Sequence, residues 1–397
     1  MRKLLPIVLV LFACNVFGES KEIADLRKRA EQGDAAAQFD LGYAYAKGEG
    51  VPKNEKEAFG WYLKAAAKGF ALAQHNLGYA YDKGEGVPQD FKEAVKWYRK
   101  AADKGNLDAQ YNLGSMYAEG VGVPQDIKEA VKWWRKAAEQ GDAESLAILG
   151  LAYTNGEGVP QDHREAVKWY HKAAVAGDAE AQNNLGVKYA NGEGVPQDDK
   201  EAAKWFREAA KAGYPDAQSN LGKIYAHGRG VLKDHKEEMK WYRKAAEQGY
   251  VKAQYELGLL YYIGEGVPKD EKEAAKWFRF AAEQGDAQAQ AVLGFMYDNG
   301  QGVPQDREQG IKWYLLAAEQ GETKVHMMLA FAYSKGGGIP KNFVVAYAWA
   351  DIAAKHGQDD GPSLRKNLAG RMTPVQISKA RELSKELLKK IEANKKK

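Results

Sequence analysis

The chain has 397 residues, 45% of them hydrophobic and 28% charged, with a net charge of +4. This composition is typical of a soluble globular protein, and the absence of a strongly basic domain argues against a nucleic-acid partner. The single cysteine excludes an internal disulfide, and no two of the seven histidines stand four residues apart, so no metal-ligand cluster is indicated. We therefore expect no metal and no cofactor.

Residues 1–18 have the pattern of a secretory signal peptide. Two basic residues precede an apolar run from Leu4 to Ala13, which is too short to span a bilayer, since a membrane helix needs about 20 apolar residues. Two processing routes are open: cleavage after residue 18, or lipid attachment at Cys14 within a lipobox-like stretch. Cleavage is favoured because lipidation would leave only Asn15 to Glu19 as a tether. We expect an exported, periplasmic protein without a transmembrane segment in its mature chain; the alternatives are a lipoprotein anchored at Cys14 and a secreted protein.

The chain then repeats itself with a period of 36 residues, which is the signature of a solenoid. A Leu-Gly pair recurs eight times at this spacing, and the ninth unit has Leu-Ala. One tryptophan per unit keeps the same period. The leucines are Leu41, Leu77, Leu113, Leu149, Leu185, Leu221, Leu257, Leu293 and Leu329. We predict nine repeats over 34–357, preceded at 19–33 by an N-terminal capping helix that keeps only the second helix of a repeat.

Each unit is predicted to form two helices joined by a glycine-rich turn. In the second unit, Gly84 can take the left-handed conformation that ends the first helix. Asp90 and Glu93 predict a capping box, in which the aspartate accepts from a backbone amide and the glutamate reaches back. Because carboxylates already occupy this helix N-terminus, a phosphate-binding loop is not expected. Gly78, inside the first helix, predicts the close approach of a neighbouring backbone, with Trp and Tyr side chains covering the gap.

At 358–397 we predict C-terminal capping helices and a basic tail. Thr373-Pro374-Val375-Gln376 predicts a capping box at the start of the last helix. That helix has apolar residues three or four apart, which indicates one buried face: Ile377, Ala380, Leu383, Leu387 and Ile391. The predicted fold class is all-α, an α-solenoid of nine 36-residue helix-turn-helix repeats with N- and C-terminal capping helices.

The repeated pattern A-x-A-Q-x-x-L-G-x-x-Y-x-x-G-x-G-V-P-x-D-x-x-x-A-x-x-W-Y-x-x-A-A-x-x-G resembles the SEL-like repeat family, whose members are relatives of tetratricopeptide repeats. The resemblance covers about Asp34 to Gly357. It implies antiparallel helix pairs and, for most members, a role as an adaptor or assembly scaffold, often in exported bacterial proteins. A cysteine-rich branch of the family is linked to β-lactam binding or hydrolysis. Its members carry a disulfide in each repeat, which this chain lacks, so the attributes of that branch are not carried over.

Partner-binding residues are expected where the repeats differ. The residue before the Leu-Gly pair is asparagine in four repeats. The resemblance to tetratricopeptide repeats implies that this position faces a concave groove, where asparagines can bind a peptide backbone or a terminal carboxylate. The expected polar ladder is Asn76, Asn112, Asn184 and Asn220, with His75, Tyr79, Tyr111 and Lys223 as neighbours that add contacts. The alternative is that these asparagines bond neighbouring helices.

A second candidate surface lies in the last three repeats, whose first helices are more apolar than the earlier ones. Methionine and aromatic surfaces suit adaptable partner binding. The residues singled out are Leu259, Tyr262, Phe295, Met327 and Phe331. The alternative is that the C-terminal helices dock on this face.

No catalytic residue is indicated. Ser363-Leu364-Arg365-Lys366 matches the S-x-x-K pattern once, without the companion motifs of β-lactam-reactive enzymes. We expect a non-catalytic protein-protein interaction scaffold of the bacterial cell envelope that binds a peptide or helix of a protein partner on its concave face. The alternatives are an envelope enzyme acting on peptidoglycan or β-lactams, and an assembly or host-interaction factor.

Overall fold

The computed structural model describes residues 20–336 and 338–394, and within them the chain forms 21 helices and no strand. The chain is an all-α solenoid of tandem helix pairs, as the period predicted. The predicted signal peptide, with Cys14, and the last three lysines of the basic tail lie outside the described residues.

Each repeat contributes a first and a second helix. The first helices are α2 (Ala35–Lys47), α4 (Ala71–Lys83), α6 (Leu107–Glu119), α8 (Ala143–Asn155), α10 (Ala179–Asn191), α12 (Pro215–His227), α14 (Val251–Ile263), α16 (Ala287–Asn299) and α18 (Val325–Lys335). The second helices are α3 (Glu55–Ala67), α5 (Phe91–Ala102), α7 (Ile127–Glu139), α9 (His163–Val175), α11 (Asp199–Lys211), α13 (His235–Glu247), α15 (Glu271–Glu283), α17 (Arg307–Glu319) and α19 (Phe343–Lys355). The chain also forms α1 (Lys21–Glu31) before the repeats, and α20 (Asp360–Ala369) and α21 (Pro374–Asn394) after them.

The chain divides into two compact units, Met1–Gln197 and Asp198–Lys397. The first unit holds α1 to α10 and the second holds α11 to α21. Within each unit, consecutive helices pack against each other, both inside a repeat and between adjoining repeats. Two short amphipathic helices cannot bury their apolar stripes alone, and this stacking supplies the missing surface.

A glycine inside seven of the first helices makes room for an aromatic ring of the second helix. A Cβ atom added to Gly78 would lie 2.6 Å from Cδ1 of Tyr98, which is closer than real Cβ contacts. The same position in six other repeats would place a Cβ atom 2.5 to 2.9 Å from a Tyr, Trp or Phe ring. The packing reason predicted for Gly78 is therefore present, and the atoms nearest to this position belong to a tyrosine ring. A backbone oxygen is also close at two equivalent positions, 3.2 Å from a Cβ atom at Gly42 and 2.9 Å from one at Gly294.

The glycine-rich turn ends one helix and packs against the preceding repeat. Gly84 has a φ of 75°, and its amide donates to the Ala80 carbonyl at 2.8 Å, which closes α4 as predicted. Gly86 has a φ of 72°, and a Cβ atom there would lie 2.2 Å from the backbone oxygen of Glu55, at the start of α3. Only glycine allows the turn to approach the neighbouring helix this closely.

The predicted capping box of α5 is only half formed. The Asp90 carboxylate accepts from the backbone amides of Lys92 and Glu93 at 2.9 and 3.1 Å, as predicted. Glu93 does not reach back; its side chain accepts from Lys96 Nζ at 2.5 Å instead. The Asp90 amide that it was expected to bind donates to the Tyr81 carbonyl of α4 at 2.9 Å. The glutamate half of the prediction was wrong because a tertiary contact already satisfies that amide.

An arginine of one second helix joins the next repeat at six places. Arg27 Nη2 donates to the Tyr45 hydroxyl at 2.9 Å, and five arginines of later second helices make the same contact 18 residues along. The first repeat has Leu63 at this position. There the matching ring, Tyr81, instead packs edge-on against Phe59, with ring centroids 5.4 Å apart. The periodic tyrosines therefore couple consecutive repeats.

At the C-terminal end, Asp351 of α19 occupies the position that holds these arginines. Its carboxylate accepts from Arg365 of α20 at 2.7 Å, from Ser384 of α21 at 2.7 Å and from Lys355 at 2.8 Å. Because no repeat follows, the position binds the terminal helices instead. Ser384 is fully buried in the middle of α21, where the sequence pattern had placed Leu383.

Local capping contacts begin the first and the last helix. Ser20 caps α1, whose Ala30 packs in a core cluster of α2 and α3 residues. At the start of α21 the predicted capping box is complete: the Thr373 amide donates to the Gln376 side chain at 2.9 Å, and the Gln376 amide donates to the Thr373 hydroxyl at 3.3 Å.

Candidate partner-binding site

The first unit has a pocket of about 360 Å³ between the first helices of the first two repeats. It is bounded by α2 and α4 and by the beginning of α3. Its lining mixes aromatic, amide and charged side chains: Tyr43, Ala46, Lys47, Lys53, Glu55, Ala58, Phe59, Tyr62, His75, Asn76, Tyr79, Ala80 and Glu85. Three residues of the sequence prediction, His75, Asn76 and Tyr79, are brought together here.

The inner wall of the pocket is the phenol of Tyr62. Its ring lies against Gly42, where an added Cβ atom would be 2.8 Å away, so the helix glycine creates the space that the ring fills. Burial raises the pKa of Tyr62 to about 12, and the hydrogen bond with Asn76 offsets part of this effect. The phenol is therefore neutral at physiological pH and is held by the asparagine.

His75 links two asparagines of the predicted ladder. Its Nδ1 lies 3.2 Å from Asn76 Oδ1, and Nε2 lies 3.3 Å from Asn112 Nδ2 of the next repeat. Burial lowers the pKa of His75, so the imidazole is neutral at pH 7. Since an amide nitrogen can only donate, Asn112 donates to Nε2 and the ring proton lies on Nδ1, where it donates to Asn76. These bonds fix the Asn76 amide, which lines the pocket.

The other ladder residues lie further along the chain. Asn184 is half-buried in the first unit, where its side chain bonds the Tyr170 phenol. Asn220 is half-buried and Lys223 exposed, and both belong to the second unit. Asn76, Asn112 and Asn184 each bond a side chain of another helix, which is the arrangement that the alternative to a peptide-binding ladder describes.

The rim of the pocket is formed by two exposed tyrosines in equivalent positions. Tyr43 and Tyr79 are 42% and 41% exposed, although large aromatic side chains usually lie inside. Each has a lysine one turn later, with Lys47 Nζ 5.8 Å from the Tyr43 ring centroid and Lys83 Nζ 6.0 Å from that of Tyr79. Such rings, with an accessible face and a polar end, are enriched at protein interfaces.

Sequence reasoning missed Tyr43 because it followed the asparagines, and the first repeat has Asp40 in their place. The signal was available, because Tyr43 follows its Leu-Gly pair as Tyr79 does. Tyr111, which the prediction included, is half-buried, and burial followed by a hydrogen bond with Glu144 raises its pKa.

The second unit has a pocket of about 310 Å³ at the same register, seven repeats later, between α16, α17 and α18. Phe295 and Phe331 take the places of Tyr43 and Tyr79. The other lining residues are Asp298, Asn299, Arg307, Ile311, Tyr314, Met328, Ala332, Lys335 and Gly336. Met328 stands where the first pocket has Asn76, and Arg307 where it has Glu55. The scaffold therefore builds the same pocket twice and lines it differently.

The remaining predicted apolar residues are distributed over two environments. Leu259 and Tyr262 pack against the core of their own repeat, and the Tyr262 hydroxyl donates to Gln301 Oε1 at 2.9 Å. Met327 is half-buried on α18. The C-terminal helices approach this surface at Phe331, where α20 contributes to a second groove. Otherwise α21 packs against the second helices α17 and α19, so docking of the C-terminal helices covers only one edge of the predicted apolar surface.

Among residues 20–336 and 338–394, no group of three or more His, Cys, Asp or Glu side chains could hold a metal ion. Over the same residues, no helix is both long and apolar enough to cross a membrane. Ser363 and Lys366, the S-x-x-K pair, are both exposed on α20.

The family model of the Sel1 repeat matches nine consecutive segments of the chain. They are 35–70, 71–106, 107–142, 143–178, 179–214, 215–250, 251–286, 287–322 and 324–358. The chain belongs to the Sel1 repeat family. Proteins of this family are typically protein-interaction scaffolds.

Two solved structures of the family are similar to this chain. One is c5321, a protective antigen present in uropathogenic Escherichia coli strains, with 35% identity, 94% of this chain and 96% of that chain covered, and a TM-score of 0.55. The other is a Sel1 repeat protein from Oxalobacter formigenes, with 37% identity, coverage of 78% and 90%, and a TM-score of 0.65. None of the curated proteins matches the chain at a significant level.

Proposed function

We propose that this Sel1 repeat protein is a non-catalytic scaffold of the bacterial cell envelope that binds an extended peptide or a helix of a protein partner on the face formed by its first helices. The observation that carries the proposal is the pair of equivalent pockets: the first has Asn76, Tyr43 and Tyr79 where the second has Met328, Phe295 and Phe331. A scaffold that only needed to stack its repeats would not require exposed aromatic side chains at either rim.

The first pocket is proposed as an anchor site for one partner side chain. The fixed amide of Asn76 and the neutral phenol of Tyr62 can exchange hydrogen bonds with a polar group, while Tyr43 and Tyr79 cover its apolar part. Because His75 holds Asn76 in place, little side-chain entropy is lost when the partner binds.

The test is photo-crosslinking in cells of the source bacterium, with a crosslinking amino acid at Tyr79. The matched control carries it at Lys92, an exposed residue on the second helix of the same repeat. We expect a discrete adduct from position 79 that is absent from position 92 and that weakens at least about tenfold when Tyr43 is changed to Ala. Because Tyr43 is exposed, this change leaves the fold intact. Equal adducts from both positions would refute the proposed site.

The envelope location and the absence of catalysis have their own tests. Fractionation of cells, with mass analysis of the mature N-terminus, should find a periplasmic protein that begins after residue 18; a lipid on Cys14 would establish the lipoprotein alternative. If the purified protein turns over a β-lactam reporter, and Ser363→Ala abolishes this activity, the scaffold proposal is wrong and the enzyme alternative is supported.

The similarity to the c5321 antigen favours one alternative, an assembly or host-interaction factor. That protein is described as a protective antigen, and an antigen must be accessible to antibodies. Antibody labelling of intact cells that express this chain distinguishes the two locations. Labelling without permeabilisation supports the host-facing alternative, and labelling only after permeabilisation supports the periplasmic scaffold.

A further inference from the structure

The outward face of the second helices changes its character near the C-terminal end. One position of this face is lysine in five of the first six repeats and glutamate in the fifth repeat. The lysine Nζ atoms lie 3.7 to 4.7 Å above the tryptophan ring one turn earlier. The lysines are Lys64, Lys100, Lys136, Lys172 and Lys244. The last three repeats replace this charged side chain with Phe280, Leu316 and Ile352.

The structure accounts for only one of the three apolar replacements. Ile352 is fully buried in the cluster that α21 completes. Phe280 and Leu316 remain 42% and 46% exposed, on two neighbouring repeats of the second unit. The Phe280 ring packs edge-on against Trp277, with centroids 5.6 Å apart. Phe280 and Leu316, at the same position of α15 and α17, are the apolar patch of this face.

The patch lies between a row of positive and a row of negative side chains. Lys276 and Lys312 stand four residues before Phe280 and Leu316, and each pairs with a glutamate of its own helix. Glu283 and Glu319 stand three residues after them, and Glu319 is bound by Lys390 of α21. At about 1.5 Å rise per residue, the lysines lie roughly 6 Å to one side of the patch and the glutamates roughly 4.5 Å to the other. An antiparallel copy of this face would therefore bring its Glu283 level with Lys276 to within about 1.5 Å.

We propose that this face, formed by α15 and α17, is a site of self-association, in which a second copy packs antiparallel with its own Phe280 and Leu316 on the same patch. A two-fold interface needs a surface that complements itself, and apolar side chains flanked by opposite charges meet that condition. The earlier second helices do not, because the central position would bring a lysine against a lysine, or in the fifth repeat Glu208 against its own copy.

The number of apolar side chains in the interface determines how tightly the dimer is expected to associate. Two side chains per copy bury much less than the roughly 1,200 Å² of a standard stable interface, so the dimer is weak and depends on concentration. Charged rows that meet at the surface are screened by salt, and raising the ionic strength therefore weakens the dimer further.

The experiment is sedimentation velocity of the full chain over a range of concentrations. Phe280→Lys with Leu316→Lys restores the residue that this position has in earlier repeats, so the fold is retained, as circular dichroism can verify. Leu63→Lys is the matched control, since Leu63 is 41% exposed on α3 of the first unit. We expect a monomer–dimer equilibrium whose dissociation constant rises at least tenfold in the double variant and stays unchanged in the control. A wild-type protein that is monomeric at about 1 mM, or a dimer that the double variant retains, overturns the proposal.

Charge exchange tests the antiparallel orientation. Glu283→Lys alone places like charges against Lys276 of the second copy and should weaken the dimer. Lys276→Glu combined with Glu283→Lys exchanges both rows and should restore it. If the combined variant is no stronger than Glu283→Lys alone, the antiparallel arrangement is wrong.

Discussion

The contacts of Asp351 lead to a quantitative prediction for the replacement Asp351→Asn. Burial by itself would raise the pKa of this carboxyl group, but hydrogen bonds from Lys355, Ser384 and Arg365 outweigh burial and lower the pKa from 3.8 to about 2. Asparagine keeps the shape of the side chain and removes its charge. The change therefore tests the ionic part of the contact between α19 and the two terminal helices.

The pKa of Asp351 sets the expected magnitude. Each pKa unit corresponds to about 1.36 kcal/mol, so the lowered value represents about 2 kcal/mol of stabilisation of the ionised form. Removing one partner of a fully buried ion pair costs more, about 3 to 5 kcal/mol. The smaller figure applies because the side chains of Lys355 and Arg365 are 45% and 40% exposed and can turn to water. We expect a loss of about 2 kcal/mol at pH 7.

The pH dependence has a definite sign. Because folding lowers the pKa of Asp351, its stabilisation is complete above the unfolded value of about 4 and is lost as the pH falls from about 4 towards 2. The difference between the wild type and Asp351→Asn should therefore be constant from pH 7 to pH 5 and should vanish near pH 2.

Amide hydrogen exchange of α20 and α21 is the suitable assay, since a solenoid opens locally and a single melting temperature would average over its repeats. A loss of about 2 kcal/mol corresponds to roughly 30-fold faster exchange. Comparing the two proteins at one pH cancels the intrinsic exchange rates. Asp359→Asn, at an exposed residue, is the control. Unchanged exchange in α20 at pH 7, or an equal difference at pH 7 and pH 2, would refute the reasoning.

Two further predictions concern the repeat itself. Gly78→Ala should destabilise the protein by about 1 to 2 kcal/mol, because its methyl group would meet the Tyr98 ring, whereas Gly60→Ala, with no atom within 4 Å, should stabilise it by about 0.5 to 1 kcal/mol. Urea unfolding measures both changes, and equal effects at the two glycines would contradict the packing argument. Leu63→Arg should supply the contact to the Tyr81 hydroxyl that the first repeat lacks and raise stability by about 0.5 kcal/mol. Leu63→Lys, which has no guanidinium group, is its control, and an equal gain from lysine would show that the hydrogen bond is not the cause.

The sequence predicted the helices well because their signals are local and recur nine times. Gly84 after a helical stripe, with Asp90 six residues later, is sufficient to end one helix and begin the next. The failure at Glu93 has a physical cause: whether it reaches back depends on the Asp90 amide, and that amide is bound by Tyr81 of another helix. Periodicity shows that a residue recurs but not which tertiary contact it makes.

Asp351 also shows that the sequence pattern does not reveal tertiary contacts, here at a residue that breaks the period. In sequence it is one irregular residue in the last repeat, and the residues that bind it, Arg365 and Ser384, lie 14 and 33 positions away in helices without a period. In five earlier repeats this position holds an arginine that bonds the next repeat. Only the packing of α20 and α21 on α19 shows that Asp351 likewise joins α19 to the helices that follow it. The irregular residue therefore matches the change from a following repeat to the helices α20 and α21.

Each pocket combines residues that recur from repeat to repeat with residues that differ between repeats. Gly42 and Tyr62 recur in kind because they create the space, and any repeat with a glycine and a ring could form a similar wall. What differs is the residue on the first helix: an asparagine fixed by His75 in one pocket and Met328 in the other. A fixed amide selects a polar group of one orientation, while a flexible thioether accepts apolar groups of several shapes. If both pockets bind partners, the first should therefore be the more selective, and Asn76→Met should relax its selectivity without loss of the fold.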